Sequence, residues 1–125
     1  MRFLSQLMVL LVALVHFWFM ALEMVLWNHP VGQRIFEMTP EFSASSAVLA
    51  ANQGLYNGFL AVGLLWGLFA GRRDVKVFFL VCIVIAGVYG GLTAKMTILY
   101  VQALPALVAL LLVAFVPARG RRSIL

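Results

Sequence analysis

Two titratable side chains, Glu23 and His16, lie in the same long apolar stretch near the N-terminus. They are seven residues apart, which places them on one face of a helix and ~10 Å apart along its axis. In apolar surroundings a carboxylate or an imidazole can bind a cation or pass on a proton. The two groups are too far apart to chelate one metal ion together, so we expect neither a metal nor a cofactor.

A second group of polar residues lies in the stretch AANQGLYNG, residues 50–58, which has oily sequence on both sides. Helical spacing places Asn52 and Tyr56 on one face, and Gln53 and Asn57 on the adjacent face. Because lipid offers amides no hydrogen-bond partner, we expect both faces to point into the protein. Later apolar stretches add three further candidates for a ligand site, which are Tyr89, Lys95 and Gln102.

Each of these polar groups has a structural alternative. Glu23 could be a proton- or cation-binding carboxylate, or it could form an ion pair with Lys95 or with Arg34. His16 could relay protons or make a hydrogen-bonded helix contact. The amides could bind a ligand, or they could join helices through ordinary interhelical hydrogen bonds.

The composition assigns the chain to the integral-membrane class. Of its 125 residues, 65% are hydrophobic and only 10% are charged, and the mean hydropathy is +1.08. The net charge of +5 does not indicate nucleic-acid binding, because the basic residues are scattered at the ends of apolar segments and form no stripe. Cys82 is the only cysteine, so an intrachain disulfide is excluded.

Four apolar segments, at about 3–27, 47–70, 75–94 and 98–116, are each near the ~20 residues that a helix needs to cross a membrane. They predict an all-α polytopic membrane protein in which residues 1–125 form one four-helix transmembrane bundle. Thr39, Pro40 and Glu41 form a typical helix start, so the second helix should begin near Pro40. Residues 28–39 should then form a short flap at the outer interface.

The polar residues of all four helices fall in the outer half of this bundle, whereas the inner halves are almost purely apolar. We therefore expect a polar chamber in the outer half. Three Gly-x-x-x-Gly pairs, in GLYNG, GLLWG and GVYGG, should let helices approach closely. Pro105 can kink the fourth helix and free a backbone carbonyl.

A resemblance to a known family runs from about residue 16 to residue 112. It is carried by the strings LEMVLWNHPVGQRIF, TPEF, VLAANQGLYNGFLAVGLLWG, AGVYGGLTAK and VQALPALVAL. They resemble the small bacterial integral-membrane family of domain of unknown function 1304. The resemblance implies a four-span membrane protein and brings no established activity.

The sequence contains no Ser-His-Asp set, phosphate loop or cofactor motif. We expect a transporter-like protein that handles a small polar molecule, a proton or an ion through the outer chamber. Two alternatives remain open, an intramembrane enzyme that uses Glu23 and His16 as acid and base, and an accessory or assembly protein. The expected partners are the lipid bilayer, a small ligand or ion, and a second copy bound through the glycine-rich faces.

The distribution of basic residues predicts that both termini are cytoplasmic, in a multi-pass protein of the bacterial inner membrane. Four spans place seven Lys and Arg residues on the side of the termini, against two, Arg34 and Lys95, on the other side. The seven are Arg2, Arg72, Arg73, Lys76, Arg119, Arg121 and Arg122. A C-terminal alkaline phosphatase fusion should therefore be inactive and a C-terminal fluorescent-protein fusion bright. The opposite pair of results would place the termini outside and the chamber on the cytoplasmic side.

Overall fold

The computed structural model describes residues 1–117 and contains helices and no strand in that range. The helices are α1 (Arg2–Met24), α2 (Pro30–Ile35), α3 (Pro40–Phe69), α4 (Arg73–Thr93) and α5 (Met96–Phe115). All except α2 are long and apolar enough to cross a membrane, as a multi-pass membrane protein requires. The predicted all-α fold with four spanning helices is confirmed. Three of the basic residues counted for the topology, Arg119, Arg121 and Arg122, lie outside the described residues.

The α3 helix begins where its sequence predicts. Thr39 is its N-cap and accepts a hydrogen bond from the backbone N–H of Phe42 at 3.2 Å, and Pro40 occupies the first helical position. With 30 residues, α3 is about 45 Å long, whereas a hydrocarbon core is only ~30 Å thick. Its first turns therefore extend beyond the membrane at the end of the bundle where α1 and α4 finish, which we call the flap end.

The predicted flap, residues 28–39, begins earlier in the structure, because α1 ends at Met24; it comprises residues 25–39 with α2 and packs against these projecting turns of α3. Trp27 Nε1 donates to Ser46 Oγ at 3.0 Å, and Gln33 Nε2 donates to Ser43 Oγ at 3.0 Å. Gly32 lies against the backbone of Leu26 so closely that a Cβ there would meet the carbonyl oxygen. The flap is therefore fastened to α3 by one side chain that precedes α2 and by one within it.

The Gly-x-x-x-Gly pairs are points of close helix contact, as predicted. A Cβ on Gly54 of α3 would lie 2.9 Å from Glu23 Cβ in α1, and one on Gly58 would lie 2.6 Å from Met20 Sδ. The other two pairs join α3 to α4 and α4 to α5: Gly63 faces Phe79, Gly67 faces Lys76, Gly87 faces Ala103 and Gly91 faces Leu99. These glycine faces thus pack against helices of the same chain.

The half of the bundle next to the chain termini, the terminal end, is filled by an apolar core. All four spanning helices contribute, and its members are small or branched side chains: Val9, Val12, Ala13, Leu64, Leu80, Ile83, Ala106, Ala109 and Val113. None is more than 3% exposed. This half of the bundle is closed in the structure.

A π-helical turn, Leu99–Ala103, interrupts α5 directly before Pro105. Leu104 N–H donates to the carbonyl of Leu99, five residues back, in place of the usual four. Proline lacks an N–H, and its ring clashes with the carbonyl four residues before it, so the widened turn accommodates Pro105. The backbone distortion that the sequence predicted as a kink takes the form of this turn.

The contact between α4 and the π-turn yields a prediction for two neighbouring glycines. A Cβ on Gly87 would lie 2.7 Å from the backbone nitrogen of Ala103, whereas one on Gly90 would meet only the Ile98 side chain, at 3.2 Å. We expect Gly87→Ala to lower the free energy of unfolding by about 1–3 kcal/mol, because backbone must move. Gly90→Ala should leave the free energy of unfolding unchanged or raise it. SDS titrations of both variants in mixed micelles measure the two effects. Equal effects of the two changes would show that α4 and α5 are not in close contact.

Candidate functional site

The carboxylate of Glu23 is held between two amides of α3. Glu23 Oε1 accepts a hydrogen bond from Gln53 Nε2 at 3.0 Å, and Oε2 accepts one from Asn57 Nδ2 at 2.8 Å. Glu23 is 6% exposed and Asn57 is 9% exposed. Each carboxylate oxygen therefore has one neutral donor.

The opposite directions of α1 and α3 explain how these groups meet. Side chains of a helix lean toward its N-terminus. In α1 this direction takes Glu23 away from the flap end and deeper into the bundle, whereas in α3 it takes Gln53 and Asn57 toward the flap end. Gly54 lies between the two amides in the sequence and brings the α3 backbone up to Glu23. The sequence of α3 thus places a glycine that allows close contact with α1 near two amides that donate hydrogen bonds to Glu23.

The structure contradicts an ion pair between Glu23 and Lys95 or Arg34. Residues 1–117 contain two ion pairs, Lys95 with Glu37 at 2.8 Å and Arg72 with Asp74 at 2.6 Å. Lys95 precedes α5 at the flap end, so its long side chain reaches the flap and not the membrane-embedded carboxylate. Its hydrogen bond and its positive charge hold the pKa of Glu37 below the ordinary value.

A cavity of ≈460 Å³ opens next to Glu23, between the α1–α3 pair and the α4–α5 pair. Its volume lies within the range of ~300–1,000 Å³ that is usual for small-molecule sites. The flap contributes Phe36 to its wall, and every spanning helix contributes further residues. The lining consists of Phe19, Glu23, Phe36, Gln53, Tyr56, Asn57, Leu60, Ala86, Tyr89, Gly90, Thr93, Ala94, Ile98 and Gln102.

Six of the nine residues that the sequence indicated as ligand-binding candidates line this cavity: Glu23, Gln53, Tyr56, Asn57, Tyr89 and Gln102. Gln102 reaches it from the π-turn of α5. Tyr56 and Tyr89 are 58% and 71% exposed, so they form the mouth of the cavity, and the prediction that they face the interior is wrong. Gln53, which was also expected to face inward, is an exposed residue whose amide reaches Glu23. That these six residues bind a ligand stays a prediction.

The expectation that Asn52 faces inward is wrong. Asn52 is exposed, and its side chain makes no hydrogen bond within the described part of the chain. The reason is the helical rotation of ~100° per residue, which places Asn52 on the side of α3 opposite Gly54, the residue that contacts α1. Asn52 lies ~25 Å from the Phe69 end of α3, close to the edge of a ~30 Å core, where water and lipid headgroups can satisfy an amide.

His16 lies outside the cavity lining, within the packed interior. It is fully buried, its Nδ1 is 2.8 Å from the carbonyl oxygen of Val12, and its ring meets the edge of Phe19 at 5.4 Å between centroids. Its Nε2 has no hydrogen-bond partner within residues 1–117. In the same range, no three His, Cys, Asp or Glu residues are grouped so that they could hold a metal ion.

Two aromatic residues of the cavity, Phe19 and Phe36, were missed in the sequence. Phe19 is four residues before Glu23, and this helical spacing was a usable signal for a shared face. Phe36 reaches the cavity only because the flap folds back, with its ring 4.9 Å from that of Trp27 between centroids. No spacing in the sequence indicates that contact.

The different positions of two asparagines of α3 provide a test of the site geometry. Replacing Asn57 by Leu leaves a buried carboxylate oxygen without its donor and should lower the free energy of unfolding by about 1–3 kcal/mol. Asn52→Leu is the matched control in the same helix and should have no such effect. SDS titrations that rank the two changes the other way would contradict the placement of Glu23 beside Asn57.

Comparisons with known proteins identify the family. The model of the family described as "Protein of unknown function (DUF1304)" matches residues 10–114. A protein of Lactococcus lactis subsp. lactis (strain IL1403), named "Uncharacterized protein YpaA", is 33% identical over 115 residues, which cover 89% of this chain and 97% of that protein. No solved structure matches the chain significantly. Because this match covers most of its length, the chain belongs to the DUF1304 family of proteins of unknown function.

Proposed function

We propose that this protein binds a small cation and a proton in turn at Glu23 and exchanges the one for the other across the membrane by alternating access. The observation that carries the proposal is the carboxylate of Glu23, held by two neutral amides on the wall of a cavity between the helix pairs. An acid in this position has the geometry of a binding group for positive charge. Neither Lys95 nor Arg34 supplies that charge. Lys95 forms its ion pair with Glu37, and Arg34 belongs to neither of the two ion pairs within residues 1–117.

An ionised Glu23 is costly inside the membrane. Removing a carboxylate from water costs several kcal/mol, and two hydrogen bonds from neutral amides offset only part of that cost. A proton or a bound cation would remove the remaining penalty. Occupancy by positive charge is therefore favourable at Glu23, and the bound species can leave when the cavity opens to water.

The closed terminal end determines the kind of transport. Leu64, Leu80 and Ile83 are fully buried in the apolar core of that end, which argues against an open pore. Beside the cavity, glycine contacts join α1 to α3 and α4 to α5, and the cavity lies between these two pairs. The contacts of Gly63 and Gly67 join α3 to α4 toward the terminal end. A relative movement of the pairs that separates this α3–α4 contact would open the terminal end and close the flap end.

The charge count supports an orientation with the cavity on the outer face of the cytoplasmic membrane and both termini inside. In this orientation Glu23 exchanges its cation with the outside medium in the state described here. The enzyme alternative would need His16 and Glu23 to face one substrate. His16 does not line the cavity, so no observation favours that alternative.

A proton-flux assay with two glutamine variants tests the proposal. Protein in liposomes with an internal pH dye should dissipate an imposed pH gradient when sodium, potassium or an organic ammonium is supplied on the opposite side. Glu23→Gln should abolish this flux, because an amide cannot exchange a proton. Its fold should persist, because the Gln53 side chain can turn its amide oxygen toward the new group.

Glu37→Gln is the matched control for this assay. It also removes one carboxylate, but from an exposed ion pair of the flap, which contributes little to stability. Its flux should equal that of the wild type. Equal flux through wild type and Glu23→Gln would contradict the proposal, as would a wild type that leaves the gradient intact with all three cations; either result would favour an accessory role.

A further inference from the structure

We propose that the ligand of the cavity is an organic ammonium ion with alkyl substituents, recognised jointly by the carboxylate of Glu23 and by aromatic rings around the cavity. This inference rests on the proposed function and specifies its substrate class. Four aromatic residues share the lining with Glu23, each from a different element: Phe19 from α1, Phe36 from the flap, Tyr56 from α3 and Tyr89 from α4.

The rings match an alkylated cation in their chemistry. The faces of aromatic rings attract cations within about 6 Å, and groups of such rings are the usual protein site for quaternary ammonium ions. Most of the cavity wall is formed by carbon atoms of these rings and of residues such as Leu60 and Ile98. Alkyl substituents would be in favourable contact with that wall, and the carboxylate would neutralise the charge.

The same lining favours an alkylated ammonium ion over an inorganic ion. Hard cations need several oxygen ligands to replace their water, six or more for calcium. The lining has one carboxylate, both of whose oxygens already accept a hydrogen bond from an amide, and its other side-chain oxygens are uncharged amides and hydroxyls. A quaternary ammonium ion needs no hydrogen-bond acceptors, so a single oriented carboxylate is sufficient. A volume of ≈460 Å³ is also far larger than a bare ion requires.

The mouth of the cavity leaves two sources for such a ligand. Tyr56 and Tyr89 lie on the outer surface of the bundle, between α3 and α4. A soluble alkylammonium could enter beneath the flap, or the choline headgroup of a lipid could enter sideways between these helices. Both sources present the same trimethylammonium chemistry to Glu23 and to the rings.

Binding of benzyltrimethylammonium to the full-length protein in an uncharged detergent, measured by isothermal titration calorimetry, tests the inference. Tyr89→Leu and Tyr56→Leu should each weaken binding by roughly 2- to 30-fold, because a ring face is lost. Tyr89→Phe should retain the affinity, because it keeps the ring. Both tyrosines are largely exposed, so these changes leave the packing intact.

Phe78→Leu is the matched control, since Phe78 is an exposed aromatic residue of α4 that does not line the cavity. It should bind benzyltrimethylammonium as the wild type does. The inference is overturned if the wild type shows no binding, if the leucine variants bind as tightly as the wild type, or if Tyr89→Phe loses as much affinity as Tyr89→Leu.

The gradient assay separates failure of this inference from failure of the proposed function. If proton flux against sodium or potassium depends on Glu23 while benzyltrimethylammonium does not bind, only the substrate class is wrong. If binding is present, repeating the titration in nanodiscs identifies its source. Phosphatidylcholine should weaken the apparent affinity relative to phosphatidylethanolamine if a lipid headgroup competes, and should leave it unchanged if the ligand is a soluble ion.

Discussion

The close approach of α1 and α3 at Gly54 and Gly58 is the contact on which the arrangement of the flap end depends. Because these glycines carry no side chain, α3 lies directly against Met20 and Glu23 of α1. The amides that flank Gly54 then reach both oxygens of the carboxylate. A larger residue at position 54 would separate the carboxylate of Glu23 from both of its donors. The contact at Gly54 and Gly58 thus determines that α1 pairs with α3 and that both carboxylate oxygens of Glu23 accept a hydrogen bond.

The α4–α5 pair depends on a similar glycine contact, but here the glycines pack against a π-turn instead of a regular helix. Gly87 and Gly91 of α4 face the π-turn of α5, where the backbone widens ahead of Pro105. This turn also carries Gln102 to the cavity. The distortion that proline imposes on the helix therefore contributes a polar side chain to the site, an association that is common for π-turns.

The flap connects the two pairs at the same end. Hydrogen bonds from Trp27 and Gln33 fasten it to α3, and the pair of Glu37 with Lys95 joins it to the start of α5. The bonds to α3 involve partly buried groups, whereas the ion pair is exposed. An exposed pair is weak and screened by salt, so the connection to α5 is the easier of the two to break.

The sequence by itself determined the class of the molecule, the four spans, the start of α3 at Pro40 and the glycine contacts, because these depend on local patterns. A run of apolar residues, an N-cap followed by proline, and a Gly-x-x-x-Gly spacing each have the same physical meaning in any helix of a membrane protein. The sequence also predicted that the polar residues gather at one end of the spans, because the depth of a residue in a span depends only on the rise per residue.

Only the tertiary structure decided which of those polar residues meet. The rotation of α3 about its axis turns Asn52 outward and Asn57 inward, and the sequence could not choose between two adjacent polar faces. The partner of Lys95 depends on where the flap returns, which also brings Phe36 to the cavity. Such contacts join residues far apart in the chain. They are set by how the helices and the flap pack together, and no spacing along a single helix contains that information.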